Sequence, residues 1–106
     1  MLCLTRKPGQ SVWVGDDIEI ILDSIQARRI ALISQDDGDV VRHHRMREGD
    51  SFEFRIGGDD VAVELLRVKP AGGEENGTVS LGFTAPRHIT ILRNELREAQ
   101  GGASSA

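Results

Sequence analysis

Along most of this chain apolar and polar residues alternate, and the three-to-four-residue spacing of an amphipathic helix is scarce, so the pattern predicts a β protein. Ile18, Ile20 and Leu22 fall on one face of a strand that runs to about Ile25. A turn at Gln26-Ala27-Arg28 reverses it, and Arg29 to Ser34 reads as the return strand. The polar stretch Gln35 to Asp39 reads as a loop, followed by strands over Val40 to Arg45 and Ser51 to Ile56. Val61, Val63 and Leu65 repeat the alternation, Ala71 to Gly77 reads as a mobile Gly- and Glu-rich hairpin connection, and Thr78 to Phe83 and His88 to Leu92 complete the strands. Asn94 to Gln100 is long enough for a short helix at most, and residues 101–106 read as a disordered tail.

The pattern also repeats. Gly15-Asp16-Asp17-Ile18-Glu19-Ile20 recurs as Gly58-Asp59-Asp60-Val61-Ala62-Val63, and Gly9-Gln10-Ser11 has a counterpart in Gly49-Asp50-Ser51. Ile30-Ala31-Leu32 parallels Val79-Ser80-Leu81, and Val40-Val41 parallels Ile89-Thr90, with the 71–77 loop lengthening the second copy. Residues 1–100 therefore read as one β domain with halves at about 1–46 and 41–100. One strand is missing from the sum, and Val40 to Arg47 stands both where the first half should end and where the second should begin. Two arrangements remain open: a fused chain folding as a single-chain pseudo-dimer, a monomer in solution, or one unit with an insertion at about Asp36 to Gly57 that forms a homodimer.

Composition narrows the class. At 106 residues, 39% hydrophobic and 28% charged, the chain is sized for one domain with a modest core. No apolar run approaches membrane-spanning length and no secretory leader pattern opens the chain, so the cytoplasm is the expected compartment and no membrane partner is expected. The single cysteine, Cys3, sits in an alternating strand and reads as a small buried hydrophobe. Net charge is −4, which weighs against a polyanionic partner, but the charges are unevenly placed. Arg6 and Lys7 lie near one terminus and Arg87, Arg93 and Arg97 near the other, while Asp36, Asp37, Asp39, Asp50, Asp59 and Asp60 crowd the middle. If the two ends meet in space, a local basic site survives.

Two blocks of sequence, in order, resemble the carbon storage regulator (CsrA/RsmA) family of bacterial translational regulators. The first is Met1 to Lys7, Gly9, a strand over Ser11 to Val14, and Gly15-Asp16; the second is Gly82, Ala85, Pro86, Ile89, Ile91, Arg93 and Glu95. The resemblance implies a mainly β fold, antiparallel sheets in a barrel-like sandwich with a short C-terminal helix, in which the first strand, Leu2 to Lys7, pairs with the last, Ile89 to Arg93. It implies an RNA-binding regulator that recognises GGA triplets, single-stranded or in hairpin loops of messenger RNA leaders, and modulates translation, chiefly by repression, with activation left open. Small regulatory RNAs and a protein antagonist such as a flagellar assembly factor are the further partners implied.

By position, Leu4, Thr5, Arg6 and Lys7 would form one side of the RNA site and Ala85, Pro86, Ile89, Ile91, Leu92 and Arg93 the other, with Arg93 the principal charged contact. Unpaired bases expose edges that strand backbone and short polar side chains can hydrogen-bond, while guanidinium groups hold phosphates or stack on bases. Leu92 replaces the histidine usual in the family and Asn94 a common acidic residue. The alternative function is a protein-binding module that keeps the fold without RNA affinity. No enzyme motif is legible and no cofactor is implied. Neighbouring His43 and His44 point to opposite faces of a strand with no third ligand, and the Asp36-Asp37-Asp39 stretch lacks an acidic residue closing a calcium loop, so no metal site is expected. Asn76-Gly77-Thr78 fits a glycosylation sequon but reads as a turn.

Overall fold

The computed structural model describes residues 1–37, 39–70, 72 and 77–96. Most of the 71–77 connection, the part of the expected Asn94 to Gln100 helix beyond residue 96, and residues 101–106 lie outside those residues. Nine strands are described: β1 (Leu2–Arg6), β2 (Ser11–Val14), β3 (Ile18–Gln26), β4 (Arg29–Asp36), β5 (Asp39–Arg47), β6 (Ser51–Ile56), β7 (Asp59–Lys69), β8 (Thr78–Thr84) and β9 (Ile91–Arg93). Residues 94–96 form a helical turn. The strands make two antiparallel sheets, one ordered β1-β8-β7-β6 and the other β5-β4-β3-β2-β9. The chain is thus mainly β, as its alternation predicts, and forms the antiparallel sandwich that the resemblance implies.

Alternation explains the core. Val12, Val14, Ile20, Leu22, Ile30 and Leu32 point inward from the second sheet and meet Val61, Val63, Leu65, Val79, Leu81 and Phe83 from the first. Each such side chain contributes about 1.5–3 kcal/mol when fully removed from water, before the entropy of ordering the chain is charged against it. Ala27 takes a left-handed φ of 56° in the tight β3–β4 turn, where glycine or asparagine would carry less strain.

The sequence repeat is matched bond for bond. Gly9 N and Gly49 N each donate at 2.8 Å to the carbonyl of a strand leucine, Leu22 and Leu65, and each leucine donates back at 2.9 Å to Gln10 O and Asp50 O. Side-chain oxygens of Gln10 and Asp50 each accept the amide of the residue three back, Lys7 and Arg47, at 2.9 Å. Both halves also carry a β-bulge just after that leucine, at Leu22/Ser24 and at Leu65/Arg67. Strand registers extend the correspondence: Arg6 lies opposite Val79 as Met46 lies opposite Ile30, so β1 and β5 are equivalent strands.

Two features differ from expectation. The first strand pairs with β8 and the last with β2, so the terminal strands belong to different sheets instead of to one ladder. Val40 to Arg47, within β5, hydrogen-bonds to β4 at the edge of the second sheet. By the correspondence β5 plays the part of β1, and the strand that would stand beside β6 as β9 stands beside β2 is not found among the described residues.

Candidate nucleic-acid interface

The two terminal strands meet at one edge of the sandwich, and the link is Arg6. Leu4 and Arg6 alternate onto the inner face of β1, and both side chains are buried, at 7% and 4% exposure. The Arg6 guanidinium forms a fork on Glu95, Nη1 to Oε2 at 2.9 Å and Nη2 to Oε1 at 3.0 Å. Nη1 also donates to Asn94 Oδ1 at 3.0 Å, and Nε donates to Thr5 O at 2.7 Å. Asn94 Oδ1 accepts the Ser11 amide at 3.1 Å as well, so one side-chain carbonyl joins β1, β2 and the helical turn after β9. The Glu95 carboxyl is held down at about 2, first by the hydrogen bond from Arg6, then by its backbone hydrogen bond and by the charges of Arg6 and Arg93.

Burying Leu4 and Arg6 turns Thr5 outward by alternation and leaves Lys7 exposed beyond it. Facing them, Ile91 lies opposite Val14 and Arg93 opposite Val12, so both share the inward side of β9, where Ile91 is half-buried and Arg93 is exposed. Leu92, opposite Trp13, lies on the outer face. Ala85, Pro86 and Ile89 are half-buried in the turn that leads into β9, so the strand starts at Ile91 and Ile89 lies outside the His88 to Leu92 strand expected from alternation. Pro86 removes a ladder donor there, and Ile89 N closes the turn on Pro86 O at 3.0 Å. Gly15 N to Thr90 O at 2.7 Å and His88 Nε2 to Asp59 Oδ2 at 2.6 Å anchor the turn to both Gly-Asp corners of the repeat.

All ten residues expected at the site lie along this edge or in the turn feeding it. Their side chains divide into three groups: Thr5, Lys7 and Arg93 are exposed, Ala85, Pro86, Ile89, Ile91 and Leu92 are half-buried, and Leu4 and Arg6 are buried. Arg6 therefore ties β1 to the helical turn that follows β9. Sequence reading placed it among the surface contacts, although its spacing of two from Leu4 already put both on one face. Asn94 and Glu95, which complete the link, were missed as site components.

The equivalent edge of the other half is built differently. His44 and Met46 replace Leu4 and Arg6 on the inner face of β5, and the His44 ring stacks on Phe52 with centroids 3.8 Å apart and planes 13° from parallel. Burial, then the charges of Arg42 and His43, lower the His44 pKa. Among the described residues no group of three or more potential ligands could hold a metal ion, and no helix is long and apolar enough to cross a membrane.

The fold and this edge define a small β-sandwich whose terminal strands form a shared, basic-sided rim. Residues 1–42 match the CsrA family, described as a global regulator protein family. The translational regulator CsrA of Helicobacter hepaticus is 40% identical over 42 residues, which are 40% of this chain and 46% of that protein. The translational regulator CsrA of Clostridium botulinum is 45% identical over 42 residues, 40% of this chain and 51% of that protein. That of Wolinella succinogenes is 38% identical over 42 residues, again 40% of this chain, and 47% of its own length. The match thus spans about half the length of these curated relatives. No solved structure matches the chain. The likeness to the CsrA family is carried by these first 42 residues.

Proposed function

We propose that this protein is an RNA-binding post-transcriptional regulator that grips GGA-containing single-stranded or hairpin-loop segments of messenger RNA leaders along the β1/β9 edge and represses their translation in the cytoplasm. The observation that carries the reading is the Arg6–Glu95 fork, which holds β1 beside β9 while Thr5, Lys7 and Arg93 stay exposed. β1 is a sheet edge, so its outer backbone groups are available to unpaired bases, and the cations on either side can contact phosphates or stack. Thr5, Lys7, Arg93 and the turn residues Ala85, Pro86 and Ile89 are the proposed contacts, with Ile91 and Leu92 shaping the β9 side. Leu4 and Arg6 contribute through position, Leu4 offering its backbone.

We further propose that residues 1–46 and 41–100 act as two fused family units, so that one chain is a monomeric pseudo-dimer with a single RNA site. Small regulatory RNAs carrying the same triplet would compete for that site, and a protein antagonist such as a flagellar assembly factor would act on the same regulator. A gel-shift with a hairpin displaying GGA in its loop, beside a CCA control, tests the reading. Selective retention of the GGA hairpin is expected. Equal or absent binding of both would favour a protein-binding module instead, a role with which the net charge of −4 agrees.

A further inference from the structure

We propose that the open edge of β6 is a docking slot for one extended peptide strand of another protein, carrying aliphatic residues at alternate positions and a carboxylate toward Arg42. This inference rests on the geometry of the two sheets and is independent of the RNA reading.

The slot is defined by comparing the halves. β2 is covered by β9, whereas β6, its equivalent, ends its sheet among the described residues. Hydrogen-bond phase shows which groups are left over. Leu65 N donates to Asp50 O, so alternation turns the backbone groups of Phe52, Phe54 and Ile56 toward β7 and those of Ser51, Glu53 and Arg55 outward. The first half confirms the phase: Ser11 N, equivalent to Ser51 N, reaches outward to Asn94, and Gly15 N reaches outward to Thr90 O. Three consecutive outward residues therefore present the donors and acceptors that an antiparallel strand would pair.

Side chains set the character of the occupant. Val41, Arg42, His44, Phe52 and Phe54 line one cleft along this edge. Val40 and Val41 are 53% and 65% exposed, unusual for valines on a sheet edge. From Val40 to Arg47 the β5 strand holds three arginines and two histidines and no carboxylate. An aliphatic residue opposite Phe54, in the place Ile91 takes opposite Val14, would cover the apolar floor, and a carboxylate beyond it would meet Arg42. A peptide fits better than a nucleic acid, because the outward donors and acceptors repeat at strand spacing and can be paired by another strand's backbone. The His44–Phe52 stack places β5 along the same cleft, so an occupant of the β6 edge meets the cations of β5 as well.

The test uses the full chain and a fluorescently labelled peptide Thr-Glu-Thr-Ile-Thr-Ile-Thr, whose glutamate and isoleucines would face inward. Binding read by anisotropy is expected to weaken roughly tenfold or more when the central threonine amides, which point at β6, are N-methylated. Glu53→Pro should weaken it similarly, because the replaced amide faces outward and proline is tolerated on an edge strand. Arg42→Glu should reverse the preference, favouring a peptide with lysine in place of glutamate. If Glu53→Pro fails to fold, slowed exchange of the Ser51, Glu53 and Arg55 amides on adding peptide to the unaltered protein replaces it. GGA-hairpin binding should persist in Glu53→Pro, which separates this slot from the β1/β9 site. No peptide binding, equal binding of the N-methylated peptide, no charge reversal in Arg42→Glu, or a chain dimer that peptide leaves intact would overturn the proposal.

Discussion

Replacing Arg6 by methionine copies a choice the chain has already made, since Met46 fills the equivalent place in the other half. Methionine keeps the aliphatic volume inside the sandwich, so no large cavity opens and the change isolates the guanidinium. Removing it deletes the fork to Glu95 and the bonds to Asn94 and Thr5. Glu95 is 47% exposed and regains water, so its charge is assigned no share of the loss. The cost then comes from the neutral acceptors Thr5 O and Asn94 Oδ1 losing a charged donor, offset in part by no longer keeping a cation out of water, and nets to about 1–2 kcal/mol. For a domain of this size that lowers the melting temperature by roughly 5–10 °C. With β9 no longer held to β1, affinity for the GGA hairpin should fall as well. The assays are thermal unfolding by circular dichroism and a gel-shift below the lowered midpoint. An unchanged melting temperature together with an affinity loss as large as that of Arg93→Ala would mean that Arg6 touches RNA itself, and would refute the positioning role.

Arg93→Ala should cost on the order of 1.5–3 kcal/mol of RNA affinity by titration while the melting temperature moves by only a few degrees, because the side chain is exposed; Thr5→Ala should cost less, and Arg42→Ala should leave GGA binding nearly unchanged. Acid should loosen the β1/β9 link. A carboxyl depressed to about 2 adds stability that is present above its ordinary value near 4.5 and is lost as pH falls from there toward 2, so melting temperatures measured across that window should decline more steeply in the native chain than in Glu95→Gln. Light scattering at micromolar concentration should give the mass of one chain, and a stable dimer in the absence of peptide would favour the insertion arrangement. Calorimetric titration should find one GGA site per chain, and two equivalent sites would mean that Arg45 and its neighbours bind RNA too.

Much of the fold was legible because alternation and Gly-Asp turns are local signals. Ser51–Ile56 has the bounds alternation predicts, and the two Gly-Asp-Asp corners head equivalent strands. What stayed hidden was phase and pairing. The bulge after Leu65 lets Val68 reach the core out of step with Val61, Val63 and Leu65, so β7 runs on to Lys69, past the point where simple alternation stops. Nor does a strand's own pattern name its neighbour: β1 buries Leu4 and Arg6 whether it lies beside β8 or β9. The exposed part of the candidate site, Thr5, Lys7 and Arg93, was proposed from family-like motifs, and what the structure adds is their exposure. The inward turn of Arg6 depends on Glu95, 89 residues away, a contact that no local window contains.

The pairing of β1 with β8 has a consequence for synthesis. Leu2 must wait for Phe83, and Arg6 for Val79, before either finds its hydrogen-bonding partner. At about 5–20 residues per second a ribosome needs roughly 4–15 seconds to make the intervening chain. During that interval the first strand emerges with an unpaired edge and exposed Leu2 and Leu4, while β2, β3 and β4 can already assemble as a meander. The nascent chain is then most open to misplaced strand pairing, and the β1–β8 ladder can form only once Thr78 to Thr84 have been made.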